Sequence, residues 1–431
     1  MKTKVQKNNR VDLYHIMLML VGIVTLFPVA CDYILDGGVV MEWIGRVEEI
    51  ASGFRSGQLY LYPTAETLAD AGVKGNAMNS NFWFLASGLL YRLSGNIVLT
   101  YRVGMLAVQG GTLAASALSF NRIFGESKTK LPVFLGVLLY MTCPYRIYIC
   151  YDLADFSQAV AWMLLPLYVW AVLGAAEREK KWSGIAAAFI LAGLGYADTV
   201  YFLIAAGVTV LAGLAVRKFW AFVPVAAGSA LFLPGLYRLG QYLFLDGFRE
   251  YGIPVGSIMR DGYRLGEFFS SYFFRDGHPG MGLGMFLCLL TGFWMRFVGD
   301  SPAWGSEAEA AEGSFRLTNA GGRGQNRGRC GIAVMMSVLF TVLSFYYFPW
   351  ELFQRMGDWS LKLISLIRTP AVFWGLACFC LCVPAAYWVT QISRKGNKLI
   401  AFAVPVIVTV VCIGICVYQC NTLTYNRMPL L

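Results

Sequence analysis

Apolar stretches of membrane-spanning length recur along the chain from Leu13 to Val417, separated by short charged clusters. A run of about 20 apolar residues is what an α-helix needs to cross a bilayer, and a chain that repeats the pattern many times has few other folds open to it. Composition agrees. Of 431 residues, 57% are hydrophobic and 14% charged, against about 25% charged in soluble domains, and mean hydropathy is +0.57. The eleven cysteines form no CxxC pair; Cys288, Cys378, Cys380, Cys382, Cys412 and Cys416 lie inside apolar runs, where cysteine behaves as a small hydrophobe. A soluble enzyme, a disordered chain and a disulfide scaffold are excluded. The net charge of +10 is scattered between apolar segments with no single basic face, which argues against nucleic acid as a partner.

The predicted fold class is an all-α polytopic membrane protein with about eleven spans, N-terminus inside and C-terminus outside. The spans are 13–35, 99–119, 131–149, 157–175, 183–197, 199–216, 219–237, 281–298, 331–348, 370–391 and 399–419. The start, MKTKVQKNNR before Leu13–Ala30, reads as a retained signal anchor. Segment 81–95 is apolar but short and holds Arg92, so it is expected to be a juxtamembrane helix at the outer interface. With this assignment the inner side carries 20 cations and 8 acids, the outer side 14 cations and 17 acids, as the positive-inside rule prefers. The whole chain reads as one integral membrane domain. Its outer loops are 36–98, 238–280 and 349–369, and the one long inner loop, 299–330, has a flexible composition.

Candidate chemistry collects in the outer loops, where charged and aromatic groups meet at a membrane face. In the first, Asp36 precedes a stretch with apolar Met41, Ile44, Val47, Ile50, Ala51 and Phe54 at helical spacing. Glu42, Arg46 and Glu49 share another face. The plain reading is a solvated interfacial helix with an ordinary i,i+4 pair. The third span ends CPYRIYICYDLADFSQ: Pro144 should break the helix, Arg146 sits among Tyr145, Tyr148 and Tyr151, and Asp152 and Asp155 follow. An arginine fork suits a phosphate; a snorkelling arginine in an aromatic belt is the bland alternative. The second loop interleaves Arg238, Arg249, Arg260, Arg264 and Arg275 with aromatics, and its Asp276-x-His278 is a weak metal signal. The third holds Pro349-Trp350 and Arg368, in a re-entrant or lid segment or an aromatic girdle. Asp198 is expected to cap the following helix, and Arg102, costly in hydrocarbon, to face the bundle. Walker A, GxGxxG, GxSxG and HExxH patterns are all missing.

The order of these features resembles the glycosyltransferase C superfamily, and within it the YfhO-type branch that includes 6-pyruvoyl-tetrahydropterin synthase-related membrane proteins. The similar stretches are Asp36 to Gly57, Leu139 to Pro166 with Pro144-Tyr145-Arg146, and Pro349-Trp350 with Leu366-Ile367-Arg368. The resemblance implies transfer of a sugar from a polyprenyl-phosphate donor to a glycan, lipid or protein acceptor at the outer face of a bacterial plasma membrane. It implies Asp36 as catalytic base with Glu42 second, Arg146, Arg368 and Arg46 on the donor phosphate, and Asp152 or Asp155 orienting the acceptor or helping to hold a divalent cation. Trp43 and Gln158 stand where that family often has His and an Arg-x-x-x-Gly-Glu arrangement. Two alternatives stay open: a non-enzymatic flippase or export component for a lipid-linked glycan, and a catalytically inactive relative.

Overall fold

The computed structural model describes residues 13–30, 34, 39–64, 67, 78–125, 130–177, 181–215, 217, 221–244, 262–270, 279–298, 323–367, 369–395 and 398–426. Among them there are eighteen α-helices and no strand. In chain order these are α1 (Leu13–Thr25), α2 (Val40–Ser56), α3 (Leu85–Ser94), α4 (Ile97–Phe124), α5 (Leu131–Met141) and α6 (Pro144–Ile147). A π-turn (Tyr148–Asp152) follows, then α7 (Phe156–Ala176), α8 (Lys181–Ala197), α9 (Thr199–Ala215), α10 (Phe222–Leu231) and α11 (Leu233–Phe244). The chain ends with α12 (Leu265–Ser270), α13 (Leu283–Val298), α14 (Arg323–Ser344), α15 (Trp350–Gln354), α16 (Asp358–Ser365), α17 (Ala371–Lys395) and α18 (Lys398–Asn426). A helix suits this sequence because it satisfies its own backbone, the condition that hydrocarbon imposes.

Among the described residues, α4, α7, α17 and α18 are each long and apolar enough to cross a membrane. Two bent pairs, α5 with α6 and its π-turn (44°) and α10 with α11 (81°), bring the candidates to six. The chain is therefore an all-α protein with the helices of a membrane protein. Helix α3 has ten residues, about 15 Å of rise. The eight residues from Arg323 to Cys330, assigned to the long inner loop, lie in α14.

Helix α17 is the central post: 78% of its apolar window is buried, against 22% for α18, which lies on the outside. Close packing on α17 depends on small residues, as it does between helices in lipid. A Cβ on Gly375 would stand 2.3 Å from the Tyr145 ring. Tyr145 and Tyr140 pack on Trp162, which is fully buried and donates its Nε1–H to the Tyr201 hydroxyl at 2.7 Å. The cysteines of α17 and α18 serve as packing atoms; Cys378, Cys382, Cys412 and Cys416 are buried and free.

The bundle is tied at two ends. At one, Glu177 after α7 accepts from Arg122 Nε at 3.2 Å and from Arg329 of α14. Arg329 also donates to the Arg122 and Ile123 carbonyls, each at 2.9 Å, capping in trans the last turn of α4, where carbonyls lack helical partners. At the other end a small core of Met78, Leu239, Tyr242 and Leu366 joins the segments assigned to the three outer loops. The α8–α9 junction lies there as well: Thr199 Oγ1 reaches the Met78 carbonyl, and Trp83 Nε1 donates to the Gly193 carbonyl at 2.9 Å. Asp198 caps α9 as expected, its Oδ1 accepting from Val200 N at 2.8 Å and Tyr201 N at 3.3 Å.

Glu177→Gln should destabilise the protein by about 2 kcal/mol, because it leaves two guanidinium groups facing each other in a site that water reaches little. Thermal unfolding in detergent checks this, and Glu177→Asp should recover part of the loss.

Candidate functional site

Helix α2 forms where its periodicity predicted and stops at Gly57, whose φ of +73° is open to glycine at low cost. Its expected apolar face is buried at Ile44, Val47, Ile50 and Ala51, but the buried surface is wider and shifted. Met41 is 51% exposed, whereas Trp43 and Arg46 turn inward. The solvated polar face anticipated for Arg46 is corrected by the residues that cover it. Residues Thr64, Thr67, Asn79 and Asn81 lie against α2, held there by the polar side chains of the helix. Arg46, fully buried, donates from Nη1 to the Asn79 carbonyl (3.0 Å) and Asn81 Oδ1 (3.3 Å), and from Nη2 to Glu42 Oε1 at 2.6 Å. Its guanidinium lies over Phe84, 5.2 Å from the ring centre. Glu49 accepts from Thr64 N at 2.9 Å and Thr67 Oγ1 at 3.0 Å. Charge-assisted bonds of this kind contribute about 1.5–3 kcal/mol each, well above the few tenths of an exposed i,i+4 pair. Glu42 keeps 12% of its side-chain surface exposed, so it retains access to solvent.

The second element is the broken helix. Pro144 has no N–H to give, and the chain bends by 44° between Met141 and Pro144. Arg146 answers the break. It is 1% exposed and donates from Nη1 to the Met141 carbonyl at 2.8 Å and from Nη2 to Gln109 Oε1. The amide of Gln109 donates to the Tyr151 hydroxyl at 2.9 Å, which donates to the Thr25 carbonyl at the end of α1 at 2.5 Å. The three donors point their hydrogens the same way, toward the Thr25 carbonyl, so each bond polarises the next. Among the described residues no carboxylate forms an ion pair with Arg146. Two of its five N–H donors are committed to Met141 and Gln109, while Nε, also buried, makes no hydrogen bond among the described residues.

The chain leaves the π-turn through Ala154, whose φ of +53° is strained for a residue with a Cβ. That reversal sets Asp155 as the cap of α7: Oδ1 accepts from Gln158 N and Oδ2 from Gln158 Nε2, both at 3.0 Å. Asp152 and Asp155 are both half-buried.

These two elements meet. Val39 N–H donates to the Leu153 carbonyl at 2.9 Å. Trp43 packs edge-on against Tyr101 (5.3 Å) and tilted against Phe156 (6.4 Å), and Phe84 packs on Phe156 at 5.3 Å. Glu42 and Arg46 are thus brought into one assembly with the segment that carries Arg146, Asp152 and Asp155. Asp36, Arg368, Asp276 and His278 lie outside the described residues. Among the described residues no group of three His, Cys, Asp or Glu side chains could hold a metal ion. Arg102, on α4, is half-buried.

Sequence reasoning passed over Gln109, although a lone amide in a long apolar helix was a usable signal, since a polar group in hydrocarbon needs a partner. It also passed over Tyr62, over whose ring the Arg238 guanidinium lies 4.5 Å from the centre. Burial, with a smaller contribution from Tyr196, pushes the Tyr62 hydroxyl up to about 12, while Arg238 opposes the rise.

Two outcomes follow from this geometry. Arg46→Met should lower stability by about 3 kcal/mol in thermal unfolding and make the chain around Asn79 and Asn81 sensitive to limited proteolysis, since it removes three donors and leaves Glu42 without its nearest cation. Because the folded protein holds the Tyr62 proton above the ordinary range, its contribution is full below pH 10 and is lost as pH rises toward 12. Tyr62→Phe, which keeps the ring under Arg238, should flatten that alkaline loss.

No protein-family profile matches this chain, and no curated protein matches it.

Proposed function

We propose that the protein crosses the plasma membrane about eleven times, N-terminus cytoplasmic, and acts there as a glycosyltransferase-like protein on a polyprenyl-phosphate-linked sugar. One observation carries the reading: α2, with Glu42, is docked through Val39, Trp43 and Phe84 on the helix break that bears Asp152 and Asp155. The grouping of Met78, Leu239, Tyr242 and Leu366 at one end, and of Arg122, Glu177 and Arg329 at the other, supports the proposed separation of outer from inner loops.

In this reaction the bond between the anomeric carbon and the phosphate oxygen breaks. A new one forms to an acceptor hydroxyl, whose proton passes to a carboxylate, while the departing phosphate needs cationic donors. Asp36 is the proposed base and Glu42 the second choice; Arg146, Arg368 and Arg46 are the proposed phosphate partners. Asp152 or Asp155 would orient the acceptor or a divalent cation. A second reading is favoured by the hydrogen bonds that Arg46 and Arg146 make to protein groups: a lipid-linked-glycan export component, or an inactive relative.

Purified protein in nanodiscs, given polyprenyl-phosphate monosaccharides and glycan, lipid or protein acceptors, should form a glycosylated product. Asp36→Asn should reduce turnover by about 10²–10⁴-fold, the span of general base catalysis, and Glu42→Gln should reduce it less. Lipid binding with no turnover in the wild type would overturn the enzymatic reading in favour of the second. Reporters at Gly57 and Leu431 should both be extracytoplasmic; a cytosolic signal from either would overturn the orientation.

A further inference from the structure

Helices α8 and α10 run side by side in the same sense. The Cβ that Gly228 lacks would meet the Ala188 carbonyl at 2.9 Å and Leu191 at 3.0 Å, and further along the Leu231 carbonyl accepts from the Tyr196 hydroxyl at 2.9 Å. Phe232 then wedges against Tyr196 and Phe202, and the chain turns by 81° into α11. A helix beside the spanning bundle that turns through nearly a right angle continues close to the membrane plane.

Helix α11 is two-faced in a way that suits that position. Leu239 and Tyr242 face inward on Met78 and Leu366, and Lys362 Nζ reaches the Leu243 carbonyl at 3.4 Å, so the outer-loop segments form its floor. On the opposite stripe Leu233, Tyr237 and Phe244 are 63%, 68% and 73% exposed. Leu233, Pro234, Leu236 and Tyr237 line an open apolar groove of ≈ 500 Å³. The stripe continues the exposed surface of α10, where Leu231 and Val223 are also bare, so it is continuous with the surface that a membrane protein turns to lipid. Arg238 flanks the stripe and stacks on Tyr62, a cation at the height of lipid headgroups.

We infer that α11 is an interfacial helix, lying in the plane of the membrane with Leu233, Tyr237 and Phe244 immersed in the acyl chains of the leaflet nearest Met78, Leu239, Tyr242 and Leu366. Its occupant is the bilayer itself. The second part of the 219–237 span is on this assignment a surface anchor: it ties those segments to the lipid and sets their height above the hydrocarbon. The inference stands without the sugar-transfer reading, because it needs only a bilayer around the bundle.

Depth is the decisive measurement. Leu233 and Phe244 lie about 16 Å apart along the helix axis. A helix crossing the bilayer would place them at very different depths, and a flat one at nearly the same depth. The full chain, with p-acetylphenylalanine at position 233, 237 or 244 in turn, would be spin-labelled at the ketone so that its cysteines stay unreacted. It would then be placed in nanodiscs of zwitterionic and anionic phosphatidyl lipids. Collision with oxygen should exceed collision with a water-soluble nickel chelate several-fold at all three positions, with one common depth. A depth that changes steadily from 233 to 244 would show a crossing helix and overturn the inference. So would free access of the nickel chelate to all three sites, or dipolar coupling between labels on two copies of the chain. These substitutions sit at exposed positions, and unchanged thermal unfolding confirms that each variant is folded.

Discussion

A helix broken inside an apolar bundle must find partners for the backbone groups it frees, and the break at Cys143-Pro144 organises much of this molecule around that need. Arg146 satisfies the Met141 carbonyl, and its second amino group starts a relay through Gln109 and Tyr151 to the end of α1. Three separate stretches, α1, α4 and the π-turn, are thereby pinned to one point. The cation has no ion-paired carboxylate among the described residues, so its charge is met by aligned dipoles. Such an arrangement is stable only while every member is in place.

Downstream of that point the geometry follows step by step. The π-turn and the strained Ala154 aim Asp155 at the start of α7 and offer the Leu153 carbonyl to Val39. Val39 starts α2, and α2 carries Trp43 and Arg46 into the aromatic wall of Tyr101, Phe84 and Phe156. Arg46 in turn holds the segment that supplies Met78, and Met78 belongs to the floor of α11. The candidate site and α11 are therefore parts of one continuous framework.

The helical class, the break at Pro144, the cap at Asp198 and the shortness of 81–95 were legible because each rests on local chemistry. Backbone hydrogen bonding, a missing N–H, a carboxylate at a helix start and a length need no knowledge of what lies across the molecule. The role of Arg46 was not legible for the opposite reason. Periodicity set it on a polar face, and a polar face reads as solvated unless one knows that residues 33 and 35 positions further on fold back to cover it. Arg146 was noticed as a cation among tyrosines, but its partners come from α4 and its own preceding turn.

What the sequence by itself determined is the chain's solvent and its secondary structure: so many apolar runs of spanning length can be satisfied only by helices in a membrane. What only the tertiary structure decided is which polar groups are exposed and which are spent inside. Burial depends on neighbours distant in sequence, and in an apolar interior each charged group takes whatever donors or acceptors the packing brings to it. For α11, whose residues suit a span or a surface helix equally well, Pro234 makes a break legible, but the 81° turn on which the interfacial proposal rests is seen only where Phe232 packs against Tyr196 and Phe202.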